Sequence, residues 1–180
     1  MLSTVTSEPD DPARAGDADL ADLFRTHYVE LVRLASILVD DVGTCEELVQ
    51  DAFVALELGR RRLRDADAAP AYLRSVVLNR ARSHLRRRDR SRRANPLRPV
   101  WVQPADGVDV DDLDGRDRRR AVLAALRRLP DRQREVLALR YYLDLPEAEI
   151  ARTLGISAGA VKTHAHRGLA ALAQELEDQP

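Results

Sequence analysis

The sequence predicts an all-α chain made of two small helical domains joined by a flexible linker, and three observations carry that reading. Apolar residues recur at three- and four-residue spacing and nowhere alternate as strands do. Aromatic residues make up 4% of the 180-residue chain against 44% hydrophobic residues in all, so a core has to be built from Leu, Val and Ala. A stretch with three prolines and five aspartates, residues 91–115, separates the two periodic halves.

Residues 1–18 are acidic and aperiodic and are expected to form a disordered tail. From Asp19, Leu20, Leu23, Phe24, His27, Leu31, Leu34, Ala35 and Leu38 mark the inward face of a helix that ends at Asp40–Gly43. Thr44 and Glu47 have the spacing of a capping box opening a second helix. Its core stripe is Leu48, Val49, Ala52, Phe53 and Leu56, while Glu47, Gln50, Asp51 and Val54 share another face, with Glu46 and Glu57 beside it. Gly59 ends that helix, and an arginine-rich loop leads to Pro70, which suits a helix start. Tyr72, Leu73, Val76, Val77, Ala81 and Leu85 then predict a buried face, with Arg74, Asn79, Arg82 and Arg86 directed away from it. The domains expected from this pattern are 19–90 and 116–176, each with its own small core.

The near-neutral balance, 29 basic against 30 acidic side chains, hides a strong segregation. Residues 60–93 hold thirteen arginines and three aspartates, whereas 1–22 and 104–114 are each acidic by five charges. A cluster this dense repels itself unless a polyanion lies opposite, and guanidinium forks match phosphates bidentately. Charge alone leaves a solvated arginine-rich segment equally open. One cysteine, Cys45, excludes an intrachain disulfide, and no apolar run reaches the length of a membrane span. The expectation is a cytoplasmic protein with no membrane partner. No phosphate loop or nucleophile–base signature is present, and His164 and His166 stand two apart, which does not place two zinc ligands on one helix face. No catalysis, metal, cofactor or small-molecule substrate is therefore expected.

The second half carries the most informative pattern. Val122, Leu123, Leu126 and Leu129 mark a helix, and Pro130 opens another over 131–142. Pro146 begins a short helix with Ile150, Ala151 and Leu154 inward; Gly155 permits a turn; Ser157 caps a longer helix in which Val161 and Leu169, with Ile156, complete the core. Short helix, glycine turn, longer helix is the helix-turn-helix plan, whose second helix enters the major groove. That helix would present Lys162, Thr163, His164, His166 and Arg167.

On these residues the chain resembles a bacterial RNA polymerase sigma factor of the sigma-70 family. Leu129-Pro130-Asp131-Arg132-Gln133-Arg134-Glu135-Val136-Leu137, with the helix-turn-helix after it, resembles sigma domain four. Glu46-Glu47-Leu48-Val49-Gln50-Asp51-Ala52-Phe53 resembles the polymerase-binding helix of domain two, and Tyr72–Arg82 the helix that recognises the −10 element. Two domains without a domain three is the layout of the extracytoplasmic-function class. The resemblance implies a promoter-specificity subunit. Glu46, Glu47, Gln50, Asp51 and Glu57 would dock on the β′ clamp helices of core polymerase, and domain four on the β flap. Arg64, Asp65, Asp67 and Asn79 would line a pocket for a flipped −10 base, with Arg74, Arg80, Arg82, Arg86, Arg87 and Arg88 on the adjacent phosphates. Ser157, Lys162, Thr163, His164, His166 and Arg167 would contact the −35 element. An anti-sigma factor is a further partner the family allows.

Two departures from the family stand out: His164 occupies a position where many members carry arginine, and no tryptophan lies near Glu57. Asp106, Asp109, Asp111, Asp112 and Asp114 fit either a nucleic-acid mimic or a solvated linker. The alternative is a response regulator with a LuxR-type helix-turn-helix, because Val161-Lys162-Thr163-His164 suits that family too. It would require an amino-terminal receiver of alternating strands and helices.

Overall fold

The computed structural model describes residues 12–59, 68–94 and 113–178. Among them the chain forms α1 (Pro12–Leu38), α2 (Val42–Gly59), α3 (Ala69–Ala94), α4 (Leu113–Arg128), α5 (Asp131–Leu137), a π-helical turn (Ala138–Tyr142), α6 (Glu147–Leu154) and α7 (Ala158–Glu177), with no strand among the described residues. Helices α1, α2 and α3 pack on one another as the amino-terminal module; α5 and α6 pack on α7, with α4 along its other side, as the carboxy-terminal module. The two-module helical architecture is the expected one.

Several boundaries differ from the sequence pattern, each for a local reason. Helix α1 starts at Pro12 rather than Asp19, because proline's fixed φ suits a first helical turn and apolar periodicity is not needed there. Helix α2 starts two residues before Thr44. Its cap is Asp41, whose Oδ2 accepts the Thr44 amide at 2.7 Å, so Thr44 occupies the third helical position. Helix α4 begins at Leu113, ahead of the expected start at 116. Helix α5 passes into a π turn closed by the Leu143 amide on the Ala138 carbonyl at 3.3 Å, and Asp144 then adopts a left-handed φ of 48°, which Asp tolerates better than most residues.

The helix-turn-helix forms as its residues require. Gly155 has φ 64°, and the Ile156 amide donates to the Ala151 carbonyl at 3.0 Å. Ser157 Oγ accepts the Ala160 amide at 3.1 Å, the expected cap. The inward stripe of α7 is Val161, Ala165 and Gly168; Leu169, expected in the core, is 43% exposed because it lies one residue round from that stripe. A Cβ on Gly168 would meet the Leu137 side chain at 3.1 Å, so glycine there lets α5 and α7 approach closely without displacing Leu137.

The modules do not keep separate cores. Leu34, Val49, Leu73 and Val77 of the first and Val136, Leu139, Ile150 and Val161 of the second belong to one contiguous buried cluster. Units of sixty to seventy residues bury little apolar surface alone, and sharing a core removes more of it from water. Cys45 is fully buried in this cluster. Its Sγ lies 3.7 Å from the Val39 carbonyl, and burial pushes the thiol up to about 12, so it is a packed residue and not a nucleophile.

Reassigning the α2 cap has a measurable consequence. Asp41→Ala is expected to cost about 1 kcal/mol in urea denaturation, whereas Thr44→Ala costs a few tenths, roughly a helix-propensity effect. The reverse order would restore Thr44 as the cap.

Candidate nucleic-acid and polymerase interface

Helix α2 presents the expected polar face to solvent. Glu46, Glu47, Gln50, Asp51 and Glu57 are all exposed, opposite the buried stripe of Cys45, Leu48, Val49, Ala52, Phe53 and Leu56. Sequence reasoning missed what continues this face. Phe24, Val54 and Leu58, the last 84% exposed, line an apolar groove of about 670 Å³ between α1 and α2, in which Phe24 is stacked on Tyr28. Phe24 was expected in the core, and its partial exposure follows from lying at the rim of the bundle, where it lines the groove. Val54 was visible at helical spacing from Gln50 and Asp51; the groove it joins was not.

Helix α3 carries the arginines, but two of them do not face solvent. Arg74 is only 9% exposed and is ion-paired with Glu149 of α6. Arg82 pairs with Glu135 of α5, itself 1% exposed, while its Nη1 donates to Asn79 Oδ1 at 2.8 Å. The expectation that Arg74 and Arg82 point away from the packed face is thus corrected: they leave the core of their own module and meet the other one. Arg88 is corrected likewise, since its guanidinium is fixed on the Asp40 carboxylate, with Nη2 to Oδ2 at 2.9 Å. Arg80 reaches back to Asp51 of α2 at 2.6 Å, tying the polar face of α2 to the arginine face of α3. Asn79, Arg86 and Arg87 are exposed, and Arg80, Ser83, Arg86, Arg87 and Arg90 line a polar cleft of about 380 Å³ with Asp51. Four guanidiniums around one hydroxyl make a site for phosphate oxygens; Ser83 and Arg90 had been passed over, although Arg90 continues the stripe of Arg86 by one turn. Arg64, Asp65 and Asp67, and the aspartates 106–112, lie outside the described residues.

On α7, Lys162, Thr163, His166 and Arg167 are exposed together. Lys162 Nζ is 3.7 Å from Glu147 of α6, and Thr163 Oγ1 is satisfied by the Gly159 carbonyl at 3.0 Å. His164 is half-buried, with Nδ1 enclosed and unpartnered, so only its outer edge is open to a partner. The polar face of α7 is therefore narrower than five full side chains.

The comparisons with known proteins agree with this geometry. The model of sigma-70 region 2 matches residues 23–91 and that of sigma-70 region 4 matches residues 119–172. The RNA polymerase sigma-E factor of Streptomyces avermitilis is 35% identical over 156 residues, 86% of this chain and 83% of that protein. The extracytoplasmic-function sigma factor SigM of Mycobacterium tuberculosis is 32% identical over 164 residues, 90% of this chain and 80% of that one. The chain is a sigma-70 family sigma factor of the extracytoplasmic-function class. As such it directs RNA polymerase to promoters. Sigma-70 region 2, matched over α1–α3, is all helical among the described residues where the LuxR-type alternative requires alternating strands and helices, so that alternative is not favoured. The sigma factor also shares its fold with RpoE of Bartonella quintana, solved with the anti-sigma factor NepR (TM-score 0.70, 21% identical, 90% of this chain and 99% of that one). CnrH, solved with the cytosolic domain of CnrY, is similar at a TM-score of 0.68 and 24% identity, over 92% of this chain and 96% of that one. No helix of the sigma factor among the described residues is long and apolar enough to cross a membrane.

The Asp40–Arg88 pair gives the sigma factor an acid-labile tie. The hydrogen bond from Arg88 holds the Asp40 carboxyl below its usual range, against the opposing effect of burial. A lowered folded value means the stabilisation is present above about pH 4 and is lost as pH falls through the folded value. Wild-type stability should therefore fall more steeply below pH 4 than that of Asp40→Asn, measured by thermal melting across pH; parallel curves would remove the tie.

Proposed function

We propose that the exposed α2 face, Glu46, Glu47, Gln50, Asp51 and Glu57, is the surface by which this sigma factor docks on the β′ clamp helices of core RNA polymerase. The observation that carries it is the run of four exposed acid and amide side chains, from Glu46 to Asp51, continuing into the Phe24–Val54–Leu58 groove. An apolar centre with a charged margin is the composition of a specific protein interface, and the charges steer a basic partner onto it. The same core enzyme, through its apolar contacts, fills the groove. Burying Phe24, Val54 and Leu58 would supply several kcal/mol at roughly 25 cal/mol per Å².

In domain two, Asn79 and the cleft of Arg80, Ser83, Arg86, Arg87 and Arg90 hold the backbone of single-stranded −10 DNA, with Arg64, Asp65 and Asp67 contributing from the preceding residues. Capturing an extruded base on a prepared surface biases the duplex toward opening. In domain four, Lys162, Thr163, His166 and Arg167 read the −35 duplex, with the exposed edge of His164 beside them and Ser157 near the phosphates at the α7 amino terminus. Domain four also contacts the β flap, and an anti-sigma factor is a further partner, as it is for RpoE of Bartonella quintana. No residue of this scheme performs covalent chemistry.

Two experiments test the scheme. Replacing Gln50 and Asp51 by arginine should abolish co-purification with core polymerase while circular dichroism stays near wild type and the melting temperature falls only slightly, through loss of the half-exposed Asp51–Arg80 pair. Undiminished core binding would move the docking face elsewhere. Lys162→Ala or Arg167→Ala should lower run-off transcription about tenfold on templates with the native −35 element and much less where that element is scrambled. An equal loss on both templates would mean phosphate contact without base readout.

A further inference from the structure

Four side-chain atoms among the described residues are enclosed and have no hydrogen-bond partner there. Two of them, Nε of Arg74 and Nε of Arg134, belong to guanidiniums already paired through Nη2. The other two are Gln133 Oε1 and His164 Nδ1, on helices α5 and α7, which pack on each other. An enclosed polar atom costs free energy while it stays unpaired, so each of these calls for a partner.

Their places along the α5–α7 contact fit each to the other. His164, Gly168 and Glu175 follow at four- and seven-residue spacing and form one stripe along α7. Arg128, at the end of α4, reaches Glu175 at 3.2 Å. Gln133, early in α5, stands against Gly168, where an added Cβ would meet Gln133 Cβ at 3.3 Å. His164 is the next position of the stripe, one turn or about 5.4 Å further on. The flexible glutamine arm and the imidazole span that distance between them. With Nδ1 enclosed in the contact, the Nε2 edge of the half-buried ring is the open one.

We propose that Gln133 Oε1 accepts a hydrogen bond from His164 Nδ1–H, and that this fixes the tautomer in which Nε2 faces the −35 duplex as a bare acceptor. The inference rests on the reading of α7 as the −35 surface given above. A neutral imidazole has one donor and one acceptor nitrogen, and the bond made by one sets the role of the other. An amide oxygen can be served only by a protonated Nδ1. Nε2 then pairs only with a donor, and the base-edge donors of the major groove are adenine N6 and cytosine N4. Lys162 and Arg167 beside it carry donors alone and suit guanine edges or phosphates. His164 therefore selects an amino-bearing base at one −35 position, and Gln133 is a positioning residue that acts through it. An arginine at this position would offer five donors and no acceptor, so the histidine reverses the hydrogen-bond sense of the site.

The tautomer is read on the free full-length chain by nitrogen–proton correlation NMR of the imidazole ring, at about pH 8, where an ordinary imidazole is neutral. The His164 signals are assigned by their loss in His164→Ala. Wild type should be protonated at Nδ1, and Gln133→Met, which keeps the length but removes the acceptor, should move the proton to Nε2. A wild-type ring protonated at Nε2 overturns the proposal without any variant having to fold. A ring that keeps its Nδ1 proton in Gln133→Met overturns the part played by Gln133. If that variant loses its helical signal, Gln133→Ala is read against the same outcomes. Run-off transcription by the holoenzyme is then measured on templates with each −35 base changed in turn. One position should favour adenine or cytosine about tenfold over guanine or thymine, and Gln133→Met should flatten that position alone. An equal loss at every position would overturn the relay and leave Gln133 a packing residue. His164→Ala decides the −35 reading separately. An unchanged base profile there refutes that reading, whereas a changed profile beside a wild-type ring protonated at Nε2 refutes the tautomer alone.

Discussion

Glu135 is the residue on which the arrangement of this sigma factor turns. It sits on α5 in the Arg132-Gln133-Arg134-Glu135 run, almost wholly removed from water, and takes Arg82 from the other domain and Arg132 from its own helix. A carboxylate this deeply placed costs several kcal/mol to desolvate, and only good geometry from both guanidiniums offsets that. Arg134 beside it follows the same rule with different partners: it donates to the Arg127 carbonyl at 2.9 Å and to Asp131 at 2.7 Å, closing the end of α4 onto the start of α5. A charged tetrapeptide that reads as a solvated helix start in sequence is thus the joint where α4, α5 and the first domain meet.

That joint explains where sequence reasoning succeeds and where it stops. Gly155 and Ser157 were legible because each answers a demand made within four residues: a left-handed turn and an unsatisfied amide. The polar face of α2 was legible because helical spacing alone separates it from Leu48, Val49 and Phe53. The cap of α2 was not, because Asp41 and Thr44 are both good capping residues and only the backbone decides between them. Arg74 and Arg82 failed for a different reason. Helical periodicity says which side of α3 faces its own bundle, and both residues do leave that side; it carries no information about a second domain arriving on the other. Leu169 erred in the opposite sense, an apolar residue placed inward when Ala165 and Gly168, too small to advertise burial, hold the contact.

The charge segregation along the chain takes on structural meaning here. The nine arginines of α3 would repel one another in an isolated helix, yet α3 draws carboxylates from three other places: Asp40 after α1, Asp51 in α2, and Glu135 and Glu149 across the domain boundary. Local neutralisation lets a strongly basic helix exist in a chain whose net charge is −1. The arginines left on the surface cleft, Arg86, Arg87 and Arg90, stay close enough together to hold a phosphate once one is offered.

Holding two domains with ion pairs rather than with apolar contact alone has a thermodynamic logic. A buried pair contributes little net stability, because attraction and desolvation nearly cancel, but it defines one geometry sharply and penalises partial separation, which leaves charges covered and unpaired. Full separation, by contrast, returns both partners to water. The apolar part of the interface opposes this, since Val136, Leu139 and Ile150 must then find cover or be exposed. Across the boundary the ion pairs set the geometry, and the apolar cluster beneath them supplies the attraction.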